Sequence, residues 1–402
     1  MSLEWEEVEE GIARVRDPSS GESEWRFVDA PALCESRSRD GWRWVEVRAR
    51  LCRGGVRVLR DVALGFVAKK GRCGVCLRRA EVACECGAEW CGPRCRAVDA
   101  DHPCDALATL AGCERARPPE SLLSFLDFGA LRLAARLWRR GVSLEPLCHH
   151  RDRLVAAARR GDRSAESALQ AARVGANVLA QALGRQDDDD EEFVLALLRL
   201  RFNAFPFETG LAVFRDASAL NHSCAPNSAV SIRRDDDHHG RVVLEARAHV
   251  DLHRGAEVTI TYLSLRALVS RDARRAALRD AFFFSCACAG CGPGGYDVDP
   301  LDLDAVSGAL LGDDNNNNKD LVLAASRRAD AILAAIPAGA AVPVARARLR
   351  LLAARTLLRL GASDDARAIA RATLDDDLIP ALGRQDPHSR LAAAYLAASP
   401  RT

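Results

Sequence analysis

Asn221-His222-Ser223-Cys224-Ala225-Pro226-Asn227, read together with Phe284-Ser285-Cys286-Ala287-Cys288-Ala289-Gly290-Cys291, decides how this chain folds. The first run is too polar for a core strand, and its cysteine has no near neighbour of its own kind. The second run supplies three closely spaced thiols, Cys286, Cys288 and Cys291. A structural zinc takes four ligands, so Cys224 is the natural fourth. The competing reading is an incidental buried thiol. A shared ion would clamp the later loop against the loop that carries Asn221 and His222.

Cysteine usage along the whole chain supports a metal reading. There are fifteen cysteines in 402 residues. The opening MSLEWEEVEEG is acidic and has no apolar stretch, so no secretory leader is expected. In a reducing compartment clustered cysteines hold metal more often than they form disulfides. Only Cys34, Cys52, Cys113 and Cys148 stand outside clusters. No apolar run reaches membrane-spanning length. The formal charge is +1, which makes no case for nucleic-acid binding by the molecule as a whole. Residues 36–72 carry eleven Arg or Lys against three Asp or Glu. That local basic patch is expected to be strands with arginine on their wet face, the alternative being nucleic-acid binding through the cysteine-rich segment and its flanks. Arginine outnumbers lysine 54 to 3, which reads as codon bias.

The length suits two or three compact domains. Residues 1–41 are polar, punctuated by Pro and Ser, and show no clear period. Residues 42–51 and 56–68 read as strands around a turn at Gly54 and Gly55. Helical periodicity begins after Pro118-Pro119 and runs to about residue 184. The acidic run 187–192 opens a further helix, FVLALLRLRF, because acidic side chains suit a helix N-terminus. Strands return at RVVLEARA and EVTITY. Another helix ends at the second cysteine run. The Asn tract at 312–320 reads as a linker, Asp235–His239 as a solvated loop with a small chance of adventitious metal binding, and 320–380 as Ala/Leu/Arg-rich helices.

Residues 73–104 offer four ligand pairs: Cys73/Cys76, Cys84/Cys86, Cys91/Cys95 and His102/Cys104. Four pairs in so short a segment suit two zinc ions, and the metal would be the segment's effective core. The expected arrangement is interleaved, pairs one and three on one ion and pairs two and four on the other. Cys113 is an alternative to Cys104.

On these residues the segment resembles a MYND zinc finger, with CxC and HxC where that family has CxxC and HxxxC. NHSCAPN, the strand GAEVTITY (255–262) and FSCACAGC together resemble SET-domain methyltransferases. A SET core interrupted by a MYND finger resembles the SMYD family of protein-lysine methyltransferases. The resemblance implies an α+β fold: a SET-type β-rich core split by the finger and a helical insert, then a post-SET zinc loop and a helical C-terminal region. It divides the chain into an extension (1–41), the first part of the SET domain (42–70), the finger (71–104), the insert (105–200), the SET core (201–280), the post-SET segment (281–295) and the helical region (296–402).

The resemblance also implies roles. Gly54, Gly55, Asn203, Asn221, His222 and Phe284 would contact S-adenosylmethionine, and Tyr262 would stand at the methyl-transfer point. Phe282 falls where the family has a second channel tyrosine, and Arg53 replaces the first glycine of the cofactor turn. Three zinc ions are implied, with Cys224, Cys286, Cys288 and Cys291 holding the third. The implied partner is a histone or other lysine-bearing protein, met by a monomer in the nucleus or cytoplasm. The alternative is an inactive SET core whose finger docks a Pro-rich peptide, with Trp90 as the exposed aromatic.

Overall fold

The computed structural model describes residues 4–9, 12–16, 23–27, 34–39, 42–47, 51–52, 56–116, 126–145, 147–185, 191–207, 209–235, 241–263, 270–293, 295–297, 306, 310, 318–334 and 341–397. For 4–42, 51–52 and 341–343 it describes the backbone alone. Gly54, Gly55, the run 187–190, residues 236–239 and the Asn tract lie outside these ranges, apart from Asn318.

The first 41 residues depart from expectation. They hold β1 (Glu4–Glu9), β2 (Ile12–Arg16), β3 (Ser23–Phe27) and β4 (Cys34–Arg39). Each run is five or six residues long, too short for its alternation to stand out against the polar residues around it. β5 (Trp42–Val47), β6 (Leu51–Cys52) and β7 (Arg57–Ala68) follow. β5 and β7 are not partners across the glycine turn: β5 pairs with β4, while β7 finds its partners much later in the chain.

The finger holds β8 (Val82–Ala83), β9 (Glu89–Trp90) and α1 (Pro93–Val98). The insert is α2 (Cys104–Ala116), α3 (Phe128–Arg139), α4 (Arg151–Arg159), α5 (Arg163–Ala182) and α6 (Glu191–Asn203). The periodic stretch after residue 150 breaks into two helices at Gly161, whose φ of +84° suits glycine, and Asp162 caps α5 through the N–H of Ala165. Then come β10 (Ala204–Phe207), β11 (Gly210–Phe214), β12 (Asn221–His222), β13 (Ser228–Asp235), β14 (Arg241–Ala248), β15 (Leu252–His253) and β16 (Thr259–Ile260). α7 (Arg271–Phe282) leads to the second cysteine run. α8 (Lys319–Ala334), α9 (Ala341–Arg359), α10 (Ser363–Ala372), a π-helical stretch (Thr373–Leu378), α11 (Ile379–Leu382) and α12 (Pro387–Ala397) complete the chain's described elements.

This is the α+β layout expected: a β-rich core split by a Cys-rich finger and a helical insert, with helices at the C-terminal side. The principal sheet has the order β10-β11-β7-β14-β13, so β7 is central. A second sheet, β15-β6-β1-β2-β3, ties the N-terminal strands to the core. One apolar core lies among the strands, including Val58, Phe214, Leu244 and Val258, and a second fills the helical insert. Gly65 lets α3 approach β7, since a Cβ there would lie 2.7 Å from Leu137 Cδ2.

Two sequence expectations about polar segments are corrected. Asp235 is the buried end of β13 and pairs with Arg60; it is not part of a solvated loop. Arg57 and Arg60 of the basic patch are engaged by buried Glu245 and Asp235. Buried carboxylates from strands distant in sequence thus draw two arginines of the expected wet face into a half-buried ion network.

Candidate active site and metal centres

Three groups of four ligand atoms converge, each within 4.8 Å of the others: Cys73, Cys76, Cys91 and Cys95; Cys84, Cys86, His102 and Cys104; and Cys224, Cys286, Cys288 and Cys291. The finger groups have the interleaved arrangement read from the pairs. Cys104 lies in its group, whereas Cys113 packs against the insert core. A tetrahedral ion with metal–sulfur bonds of about 2.3 Å separates its sulfurs by about 3.8 Å. Here Cys76 and Cys91 are 3.4 Å apart, Cys84 and Cys104 3.6 Å, and Cys224 and Cys291 3.3 Å.

The donor chemistry fits zinc. His102 Nε2 is buried without a hydrogen-bond partner, while Nδ1 lies 2.9 Å from the Asp99 carbonyl. That bond fixes the tautomer that turns Nε2 toward the thiols. In the first group, burial raises the Cys73 thiol, but the N–H groups of Val75, Cys76 and Cys91 outweigh it and hold it down to about 7. In the third group, the Cys224 N–H donates to Cys288 Sγ at 3.2 Å, and contact with Cys224 holds Cys286 well below an ordinary thiol. Their neighbours go the other way: burial raises Cys76, and contact with Cys286 together with burial raises Cys224, so each group favours one thiolate before an ion binds.

The finger is docked through Asp99. Its carboxylate takes both an Arg136 contact at 3.0 Å and an Arg140 contact at 3.3 Å, and accepts from Trp90 Nε1 at 3.2 Å. Trp90 is fully buried, which removes the exposed aromatic expected to receive a Pro-rich peptide. Its indole serves the joint between finger and insert.

The opening motif is placed by a parallel pairing of β12 with β16, Asn221 opposite Thr259 and His222 opposite Ile260. This brings Tyr262 to His222. His222 Nδ1 accepts the Tyr262 N–H at 3.0 Å, so Nε2 carries the proton and faces Cys224 Sγ at 3.2 Å. Asn221 donates to the Arg43 carbonyl and to Glu257. Asn203, at the end of α6, is buried and donates to the carbonyls of Cys148 and Arg199. Tyr262 donates its hydroxyl proton to the Leu220 carbonyl at 2.6 Å. Burial pushes its phenol above the ordinary range, so it stays neutral.

Three consecutive phenylalanines part ways at the end of α7. Phe283 adopts φ +59°, a left-handed conformation that costs a non-glycine residue about 1 kcal/mol or more. Its ring is held against Phe202. The reversal sends Phe282 to Tyr262, at 4.9 Å between ring centroids, and Phe284 to His222, at 6.0 Å. Phe282 and Phe284 thus lie on either side of the Tyr262–His222 pair.

A cavity of about 510 Å³ opens beside Tyr262. Asn203, Phe205, Phe207, Leu220, Tyr262 and Phe282 form its core-side wall, and Arg348, Asp386 and His388 of the C-terminal region face them. Sequence reading missed Phe205 and Phe207, although two aromatics two residues apart are the signature of one strand face. It also missed the far wall, which belongs to helices distant along the chain.

Comparison with known proteins shows partial similarity to lysine methyltransferases. The chain is similar to N-lysine methyltransferase SMYD2 of Bos taurus, 32% identical over 109 residues, which cover 26% of this chain and 23% of that protein. It is 34% identical over 122 residues to N-lysine methyltransferase SMYD2-B of Xenopus laevis, covering 29% and 26%, and 31% identical over 109 residues to human SMYD2. The match thus spans about a quarter of the length of these relatives. The crystal structure of the SET domain of LSMT bound to lysine and AdoHcy aligns with a TM-score of 0.35 at 14% identity, over 92% of this chain and 84% of that one. No protein-family model matches the chain.

Proposed function

We propose that this protein is an S-adenosylmethionine-dependent protein-lysine N-methyltransferase with three zinc ions, acting on a histone or another lysine-bearing protein. The observation that carries the reading is Tyr262, held at the wall of an aromatic-lined cavity by His222, which itself contacts the Cys224 cluster. Bound S-adenosylmethionine would supply an electrophilic methyl group on a sulfonium. Asn203, Asn221, His222 and Phe284 are the residues proposed to hold it. Both ring nitrogens of His222 are engaged within the protein, so its contribution is its backbone and ring face.

The chain's own residues do the rest. A free lysine amine has a pKa of about 10.4, and only its neutral form is a nucleophile. The rings of Phe205, Phe207 and Phe282 give the cavity an apolar wall, and an amine seated against them would be partly desolvated, which favours its neutral form. Tyr262 gives its proton to Leu220, which leaves its oxygen lone pairs free to accept from an amine N–H and aim the nitrogen. Phe282, a hydrocarbon where a hydroxyl is expected from the resemblance, leaves Tyr262 as the polar guide on that side.

The test is transfer of label from S-adenosylmethionine to a histone mixture and a lysine peptide array. Tyr262→Phe is expected to lower turnover at least about 100-fold while leaving the melting temperature near that of the parent. Absence of cofactor binding by calorimetry would overturn the proposal.

A further inference from the structure

The loop carrying Cys286, Cys288 and Cys291 is held by more than its sulfurs. Arg274, on the first turn of α7, is fully buried. Its Nη2 donates to the carbonyl of Gly290 at 2.8 Å and of Tyr296 at 2.7 Å. Its guanidinium lies 3.9 Å from the centroid of the Tyr296 ring. Tyr296 then donates its hydroxyl proton to the carbonyl of Cys224 at 2.9 Å. Arg271 and Arg275 reach the carbonyls of Gly295 and Cys291. Gly290 is confined between these groups: a Cβ there would lie 3.1 Å from the Tyr296 ring and 3.3 Å from Cys224 Cβ.

We infer that Arg274 and Tyr296 are positioning residues that form a latch on the third metal centre, holding the Cys286–Cys291 loop against Cys224 through the backbone and coupling that centre to the C-terminal helices. A buried guanidinium is costly, and here two carbonyls on Nη2 and the face of the Tyr296 ring offset part of that cost. A ligand loop fixed in advance slows release of the ion, because the thiolates cannot swing apart one at a time. The coupling follows from the Tyr296 ring, which belongs to the core of Val306, Leu310, Val322 and Leu333. One side chain therefore touches the motif of Cys224 with its hydroxyl and the C-terminal helical core with its ring. This inference rests on the proposed zinc occupancy of the Cys224 group and is independent of methyl transfer.

The test uses the full-length zinc-loaded protein and a colorimetric chelator, with His102→Ala to mark the release phase of the second finger ion. Arg274→Lys keeps the charge but ends short of the Nη2 position and lacks the planar face that lies on the Tyr296 ring, and is expected to speed release from the Cys224 group about tenfold. Tyr296→Phe, which keeps the ring, is expected to speed it severalfold. Finger release should be unchanged, and backbone amides from Gly290 to Asp297 should exchange faster with deuterium. Should Arg274→Lys fail to fold, Tyr296→Phe decides alone. Unchanged release and exchange, or an equal acceleration at all three centres, would overturn the latch. A parent protein that carries zinc only in the finger would instead overturn the zinc reading, with the exchange measurement still judging the latch.

Discussion

His222 joins the third metal centre to Tyr262: its Nδ1 accepts the Tyr262 backbone N–H at 3.0 Å while Nε2 lies 3.2 Å from Cys224 Sγ. The ring is thus a rigid spacer between a sulfur of the proposed zinc site and the residue proposed to aim the substrate amine. Groups that orient a metal ligand from behind typically cost 10–100-fold in affinity or activity when removed. His222→Ala is therefore expected to lower turnover by about that factor and to speed zinc release from the Cys224 group. Parallel turnover and chelator assays check this. Normal zinc retention in the variant would show that the spacer acts on one side alone.

The second finger centre gives a cleaner prediction, because the sequence left two candidates for its last ligand. Cys104 sits with Cys84, Cys86 and His102, while Cys113 rests against the insert core. Cys104→Ser should lose one zinc per chain by elemental analysis, and Cys113→Ser should lose none. His102→Ala should behave like Cys104→Ser, since its Nε2 has no other partner.

Much of this was legible in the residues, for physical reasons. Zinc ligands come in short pairs because a knuckle needs little chain, so their grouping survives in the linear spacing. The pairing of Cys224 with the distant trio could be read because a three-thiol site is incomplete. The strands of residues 1–41 were hidden because short strands are stabilised by partners elsewhere, here β6 and the neighbouring strands of its sheet. Trp90 was misplaced for a related reason. Its burial is set by Asp99 and Arg136, and the latter lies in the insert. The cavity's far wall, Arg348, Asp386 and His388, comes from tertiary packing that no local pattern announces.

The Asp99 joint predicts a large loss on removing one charge. Asp99 is buried, and Arg136 beside it is nearly so. Breaking a buried pair by deleting one partner costs about 3–5 kcal/mol, because the remaining charge is left without compensation. Asp99→Asn, which keeps the shape and loses the charge, should lower the unfolding free energy by about that amount and undock the finger first. Limited proteolysis between residues 98 and 128 would report the undocking. A stability within about 1 kcal/mol of the parent would mean the joint is held by apolar packing instead.

The network around Glu245 sets the acid limit of the fold. Glu245, on β14, is 3% exposed and meets Arg57 at 3.0 Å and Arg233 at 2.9 Å, so one carboxylate ties together β7, β13 and β14. Burial by itself would raise its pKa, but Arg233 and Arg57 outweigh burial and hold it below 4.5. A carboxylate lowered in the folded state stabilises the fold above its unfolded pKa of about 4.3, and that contribution drains away as pH falls through the folded value. Glu245→Gln removes the charge and leaves its arginines uncompensated, which should cost about 3 kcal/mol at neutral pH. The same variant should lose less stability than the parent between about pH 5 and pH 3, because the group that titrates is gone. Urea midpoints across that range check both statements. Parallel acid profiles for parent and variant would show that other carboxylates set the limit.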